Sequence, residues 1–158
     1  MFSLIISIIA IALVAALAGA SVYYGGTAFN KGTAGADAST LINGGQQING
    51  AVALAKNAEV DVSDLTNLET ILVSEYLTQL PSYKGTDFAG DTSDYVVVSA
   101  TDLISEDVCK EVQARAGDDV EAVGYTLPTA STGELFGCYG DPTNATTPVP
   151  YTFEFKVK

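Results

Sequence analysis

Seven carboxylates in two groups, two cysteines and one Asn-x-Thr triplet are the residues whose types and spacing come nearest to chemistry. Asp87, Asp91 and Asp94, with Asp102 nearby, offer the hard oxygen ligands that calcium takes from loops. They lack the alternating Asp-x-Asp-x-Asp-Gly order of a calcium loop, so a solvated acidic face is the preferred reading. Asp118 and Asp119 with Glu121 read the same way. Asn144-Ala145-Thr146 is an acceptor triplet for an N-linked glycan in a turn-rich stretch, although such triplets also arise by chance. The threonines around it leave Ser and Thr glycosylation equally open. Carboxylate pairs at glycosidase spacing can be drawn anywhere on so acidic a chain, so none is informative.

Other chemistry is excluded by what is missing. Histidine is absent and Arg115 is the only arginine. Most general acid–base, nucleophile-triad and zinc chemistry needs an imidazole. The expectation is a protein that is not an enzyme, with no cofactor and no metal. The net charge of −12 argues against direct nucleic-acid binding and against docking on anionic lipid, both of which need clustered Lys and Arg. Cys109 and Cys138 suggest an exported domain with one disulfide; two buried free thiols in a reducing compartment are the alternative.

The elements that would position these groups begin with an uncharged stretch. The 7 basic and 19 acidic residues all lie at or beyond Lys31. Phe2 to Tyr24 is apolar apart from Ser3, Ser7, Gly19 and Ser21. As a helix it is about 35 Å long, enough to cross a bilayer core of ~30 Å. Phe2, Leu4, Ile5, Ile6, Ile8, Ile9, Ile11, Leu13, Val14 and Leu17 would face lipid or other copies. Three readings compete. Ala18-Gly19-Ala20 has the small-x-small look of a signal cleavage site, but no basic n-region precedes it. A single-span anchor would place the rest of the chain outside. A helix that leaves the membrane and packs against copies of itself would also satisfy an all-round apolar surface. Ala15, Ala16, Ala18, Gly19 and Ala20 would permit close helix approach there.

Gly25-Gly26 is a weak point in any helix, at about 1 kcal/mol per Gly relative to Ala. Beyond it, Leu41, Ile48, Val52 and Ala55, with Ala38 and Leu54 nearby, predict a second helical stretch from about Thr27 to Asn57. Gly32, Gly35, Gly44, Gly45 and Gly50 soften it, and a loop across residues 30–45 is the alternative. Ser63 as a cap and Pro81 as a stop bracket a helix with Leu65, Leu68, Leu72 and Tyr76 on one face. Residues 94–100 read as a strand. Ser105 caps and Gly117 ends a short helix that carries Cys109 and points Val108 and Val112 inward. Residues 120–128 and 151–158 read as strands, the latter alternating Tyr151, Phe153, Phe155 and Val157 with Thr152, Glu154 and lysines. Residues 136–150, with Cys138, read as a loop. The sum is α+β, a long N-terminal spine helix whose apolar half protrudes and whose other half packs on an antiparallel sheet. The division is residues 1–26 as the apolar transmembrane or filament-core helix and 27–158 as the head.

This order of pieces resembles the type IV pilins and pseudopilins, most closely the type IVb group. The start MFSLIISIIAIALVAALAGASVYY, INGGQQINGAVALAKN as the second half of a spine, YLTQLPSY leading into the sheet, ISEDVCKEVQARAG as a Cys-bearing helix, and FGCYGDP…YTFEFKVK as closing loop and last strand carry the resemblance. It implies a pilin-like fold and a Cys109–Cys138 disulfide. It implies a structural subunit of a helical surface filament, held in the inner membrane before assembly and extracellular afterwards. The implied partners are further copies of the chain, inner-membrane lipid, an assembly machinery and a prepilin-type peptidase, with N-terminal methylation. The chain departs from the family at the fifth position, where a Glu is usual and Ile5 stands, or Ile6 if counting starts at Phe2. Gly19, Gly25 and Gly26 are expected sites of helix bending. Tyr23, Tyr24 and Phe29 form an aromatic cluster whose expected role is packing between subunits rather than electron conduction. A membrane-anchored periplasmic or extracellular binding module is the alternative to a filament subunit.

Overall fold

The computed structural model describes residues 2–73, 75–90, 94–99, 103–123, 125–140 and 150–157. The chain divides into two compact units, Met1–Thr33 and Ala34–Lys158. Helix α1 (Phe2–Asn57) supplies the first unit and opens the second.

In the second unit the fold is α+β. Two short helices, α2 (Leu68–Leu72) and α3 (Glu106–Ala116), accompany the latter half of α1. Strands β1 (Ser82–Tyr83) and β2 (Thr86–Asp87) form a hairpin. Strands β3 (Ala89–Gly90), β4 (Tyr95–Ser99), β5 (Phe136–Gly140) and β6 (Tyr151–Lys156) form an antiparallel sheet in the order β3-β4-β6-β5. The register opposes Val96 and Phe136 to Phe155, and Val98 and Cys138 to Phe153. Side chains alternate across a strand, so these residues share one face. That face receives both α1 and α3.

The stripe that α1 buries is Ala34, Ala38, Leu41, Gly45, Ile48, Val52 and Ala55, a regular alternation of four and three residues. The softening glycines do not interrupt it, and residues 30–45 are helical rather than a loop. A Cβ on Gly44 would come within 2.7 Å of the Phe88 ring, and one on Gly45 within 2.7 Å of Phe155 Cβ. The two glycines are notches that let Phe88, between β2 and β3, and Phe155, on β6, lie against helix backbone, which recovers in packing what they cost in propensity. Leu54, expected near the buried face, is exposed.

Local chemistry explains the other elements. In α3 the Ser105 hydroxyl accepts from the Val108 N–H at 3.4 Å, and Gly117 closes the helix at φ 117°. Val108, Cys109 and Val112 are buried, as the sequence predicts. The helix expected from Ser63 to Pro81 contracts to α2. Asp61 and Asp64 accept hydrogen bonds from the backbone N–H groups of Ser63 and Thr66, both at 2.9 Å, and these Asx turns compete with helix. Residues 120–128 are not a strand among the described residues. The Val120, Ala122 and Tyr125 N–H groups donate to carbonyls two or three residues back, and Val123 is fully exposed. The expected loop around Cys138 is strand β5, because pairing with β6 and stacking of Phe136 on Phe155 (ring centroids 6.1 Å apart) order it.

Strand β6 has the expected alternation with one exception. Glu154, on the outer face, is buried, and Ser131 Oγ donates to its Oε1 at 2.8 Å. The segment before β5 covers that face, so β6 is not half-buried. Cys109 and Cys138 form the disulfide, with Cα atoms 5.2 Å apart, tying α3 to β5.

Candidate assembly surface

In the first unit, α1 is built from Ile, Leu, Val and Ala over its opening turns, with no acidic residue in the first. Leu4, Ile5, Ile6, Ile8, Ile9, Ile11, Leu13, Val14 and Leu17 are each more than half exposed, from 53% at Ile5 to 70% at Ile11. At about 100° per residue these positions cover the helix all round, leaving no polar face. The Phe2 side chain lies outside the described part. The serines add little polarity: Ser7 Oγ donates to the Ser3 carbonyl and Ser21 Oγ to the Leu17 carbonyl, both at 2.8 Å. A hydroxyl spent on its own helix can enter an apolar medium without a lost hydrogen bond.

Covering a Leu, Ile or Val side chain stabilises by roughly 1.5–3 kcal/mol relative to water. Nine side chains more than half exposed therefore represent about 10 kcal/mol or more. That is comparable with the whole net stability of a domain, about 5–15 kcal/mol. The helix is long and apolar enough to cross a membrane. Gly19, Gly25 and Gly26 lie within α1, and a Cβ on any of them would meet nothing within 4 Å. Tyr23 and Phe29 are exposed; the side chain of Tyr24 lies outside the described part.

In the second unit, no buried side-chain nitrogen or oxygen among the described residues lacks a hydrogen-bond partner. Lys84 and Gly85, with φ 48° and 86°, make the two-residue turn between β1 and β2. Lys84 Nζ is 2.8 Å from Asp37 Oδ2 on α1 and donates to the Leu103 carbonyl at 3.3 Å. Tyr83 Oη donates to the same Asp37 oxygen at 2.9 Å. Burial, with help from Asp37, raises the Tyr83 phenol above its ordinary value. Arg115 reaches from α3 to α1, donating to Ser39 Oγ at 2.6 Å and to the Gly35 carbonyl at 2.9 Å. Tyr125 is pushed up to about 12 by burial and by its hydrogen bond to Asp118. The contacts of Tyr83 and Arg115 with α1 join residues far apart in the chain and are not legible in the sequence. Only Gln113, four residues after Cys109 on the same helical face, carried a signal that a polar side chain would point inward.

Asp87 is exposed on β2, and Asp94 precedes β4 at φ 73° with its carbonyl accepting from the Val157 N–H. Asp91, Asp102 and Asn144 lie outside the described residues. Among the described residues no three carboxylate, cysteine or histidine side chains gather as a metal-ligand set. No protein-family model, curated protein or solved structure matches the chain.

Proposed function

We propose that the chain is a structural subunit of a helical filament, polymerising through the apolar part of α1. The observation that carries this is the all-round exposure of Leu4 to Leu17 on a helix joined to an independently packed head. Such a helix must be covered by lipid or by its own kind. Residues 2–24 would rest in the inner membrane before assembly. They would leave it when neighbouring helices replace the acyl chains. Copies related by a screw axis make contacts that do not close, so the polymer grows by addition and extends from the cell surface. No bond chemistry is involved beyond the maturation that a prepilin-type peptidase and an assembly machinery would supply. Ile5 cannot form the charge pair that a Glu would. Register would then come from apolar shape, which is physically reasonable because buried ion pairs add little net stability.

The second reading, a single-span module with an extracellular or periplasmic head, draws on the length and apolarity of the same helix. Sedimentation of the full-length chain after lipid and detergent removal separates the two, followed by cryo-electron microscopy of the pellet. Filaments with the rods of residues 2–24 bundled at the axis are expected. Rods found separated in lipid or detergent, with no polymer in their absence, would overturn the filament reading in favour of the anchor.

A further inference from the structure

An exposed sheet edge is a template for strand addition from another copy. Strand β5 is one edge of the four-stranded sheet, yet two of its outward N–H groups, those of Cys138 and Gly140, are already taken. The Cys138 N–H donates to Gln113 Oε1 at 3.1 Å, and the Gly140 N–H donates to the Pro128 carbonyl at 3.0 Å. Gln113 is only 2% exposed. Its other end is held, with Nε2 donating to Asp118 Oδ2 at 3.1 Å, and Tyr125 Oη donates to that same oxygen at 3.1 Å. A side chain fixed from both sides thus stands where the backbone of an incoming strand would stand. The opposite edge, β3, is two residues long, and Gly90 lies against the Leu65 carbonyl too closely for any side chain. Short or covered edges do not template strands.

We propose that Gln113, positioned by Asp118 and Tyr125, is a guard on the β5 edge. It closes the sheet to a second copy of this chain, so that copies associate through the apolar helix and not by strand addition. The statement about the helix rests on the assembly reading above; the statement about the edge stands on the head alone. The guard matters more here than in a monomer, because a polymer holds many heads at high local concentration.

The test uses the full chain in detergent micelles, with the disulfide intact. Gln113→Met removes the acceptor and keeps the shape. The paired exchange Gln113→Glu with Asp118→Asn reverses the donor and acceptor between the two side chains while still offering an oxygen to Cys138. Hydrogen exchange at the Cys138 amide and thioflavin-positive oligomers are read for each. Gln113→Met is expected to speed exchange at Cys138 roughly fivefold to tenfold, the loss of one hydrogen bond, and to form strand-added oligomers; the paired exchange is expected to do neither. A folded Gln113→Met chain that stays free of such oligomers overturns the proposal, as does equal oligomer formation by the paired exchange. Should Gln113→Met fail to fold, Asp118→Ala decides. It frees the tether of Gln113 at the surface and must show the same two changes in weaker form, and their absence is equally fatal. A wild-type chain that never polymerises through its helix would sink the assembly reading and leave this comparison standing.

Discussion

Gly45 and Gly50 lie on the same helix, five residues apart, and alanine at the two positions should act with opposite sign. At Gly50 the new Cβ meets nothing within 4 Å, so only helix propensity changes, a gain of about 1 kcal/mol. At Gly45 the same gain is available, but the Cβ would lie 2.7 Å from Phe155 Cβ, with the base of the ring closer still. Phe155 cannot swing aside. It is fully buried on β6, stacked against Phe136 and flanked across the strand by Val96. Forcing a methyl into such a contact costs about 1–3 kcal/mol, and the closeness here selects the upper part of that range. The net expectation is a loss of about 1–2 kcal/mol for Gly45→Ala against a gain of up to about 1 kcal/mol for Gly50→Ala. For a head of this size that is a drop of roughly 3–8 °C in Tm for the first and a smaller rise for the second. Thermal unfolding of the full-length chain in one detergent, followed by near-ultraviolet circular dichroism, measures both. Gly45→Ala paired with Phe155→Leu should recover part of the loss, since the smaller side chain leaves room for the methyl. If Gly45→Ala is as stable as the parent, α1 does not press on β6 as described, and the account of the glycine notches is wrong.

Leu13→Asp puts a carboxylate near the middle of the apolar stretch, which costs about 2.5–3.5 kcal/mol in a membrane centre. Lipid-free polymer should disappear in pelleting assays while the head keeps its fold. Replacing Cys109 and Cys138 by Ser removes a crosslink spanning 29 residues, and denaturant unfolding should report a loss of about 3–4 kcal/mol in the chain-entropy description. Tyr125 should ionise late in an ultraviolet titration, near 12, and Tyr125→Phe should remove that component. Because its folded value lies above the ordinary 10.0, the unfolded chain loses the proton first, so the stability it contributes is complete below pH 10 and lost as pH rises towards 12. Tyr83 and Tyr151, also raised by burial, should add to the same alkaline decline.

Much of the fold could be read from short stretches. A serine before Glu106 and a glycine after Ala116 define α3 because a cap bond and a left-handed residue are satisfied within one turn. The alternation of Tyr151, Phe153, Phe155 and Val157 names β6 because its period is intrinsic to a strand. The apolar surface of α1 is stated outright by thirty residues without a charge. The extent of α2 was not legible, because Asp61 and Asp64 could either cap a helix or turn the chain, and the choice depends on where Leu65 and Leu68 find their core. Residues 136–140, rich in glycine and followed by a turn-rich stretch, look like loop until β6 is present to pair with them.

The sequence by itself determined the apolar helix, the lack of histidine, the caps of α3 and the pattern of the last strand. Each depends on residue types and on neighbours within a few positions. Tertiary structure alone decided that Gly44 and Gly45 are contact sites rather than weak points, that Glu154 is buried, that Cys138 lies on a strand, and that Gln113 closes an edge. In each of these cases the property belongs to a pair, and the partner lies on another element. A glycine is costly in an isolated helix and favourable beneath an aromatic ring, and only the packed sheet puts the ring there.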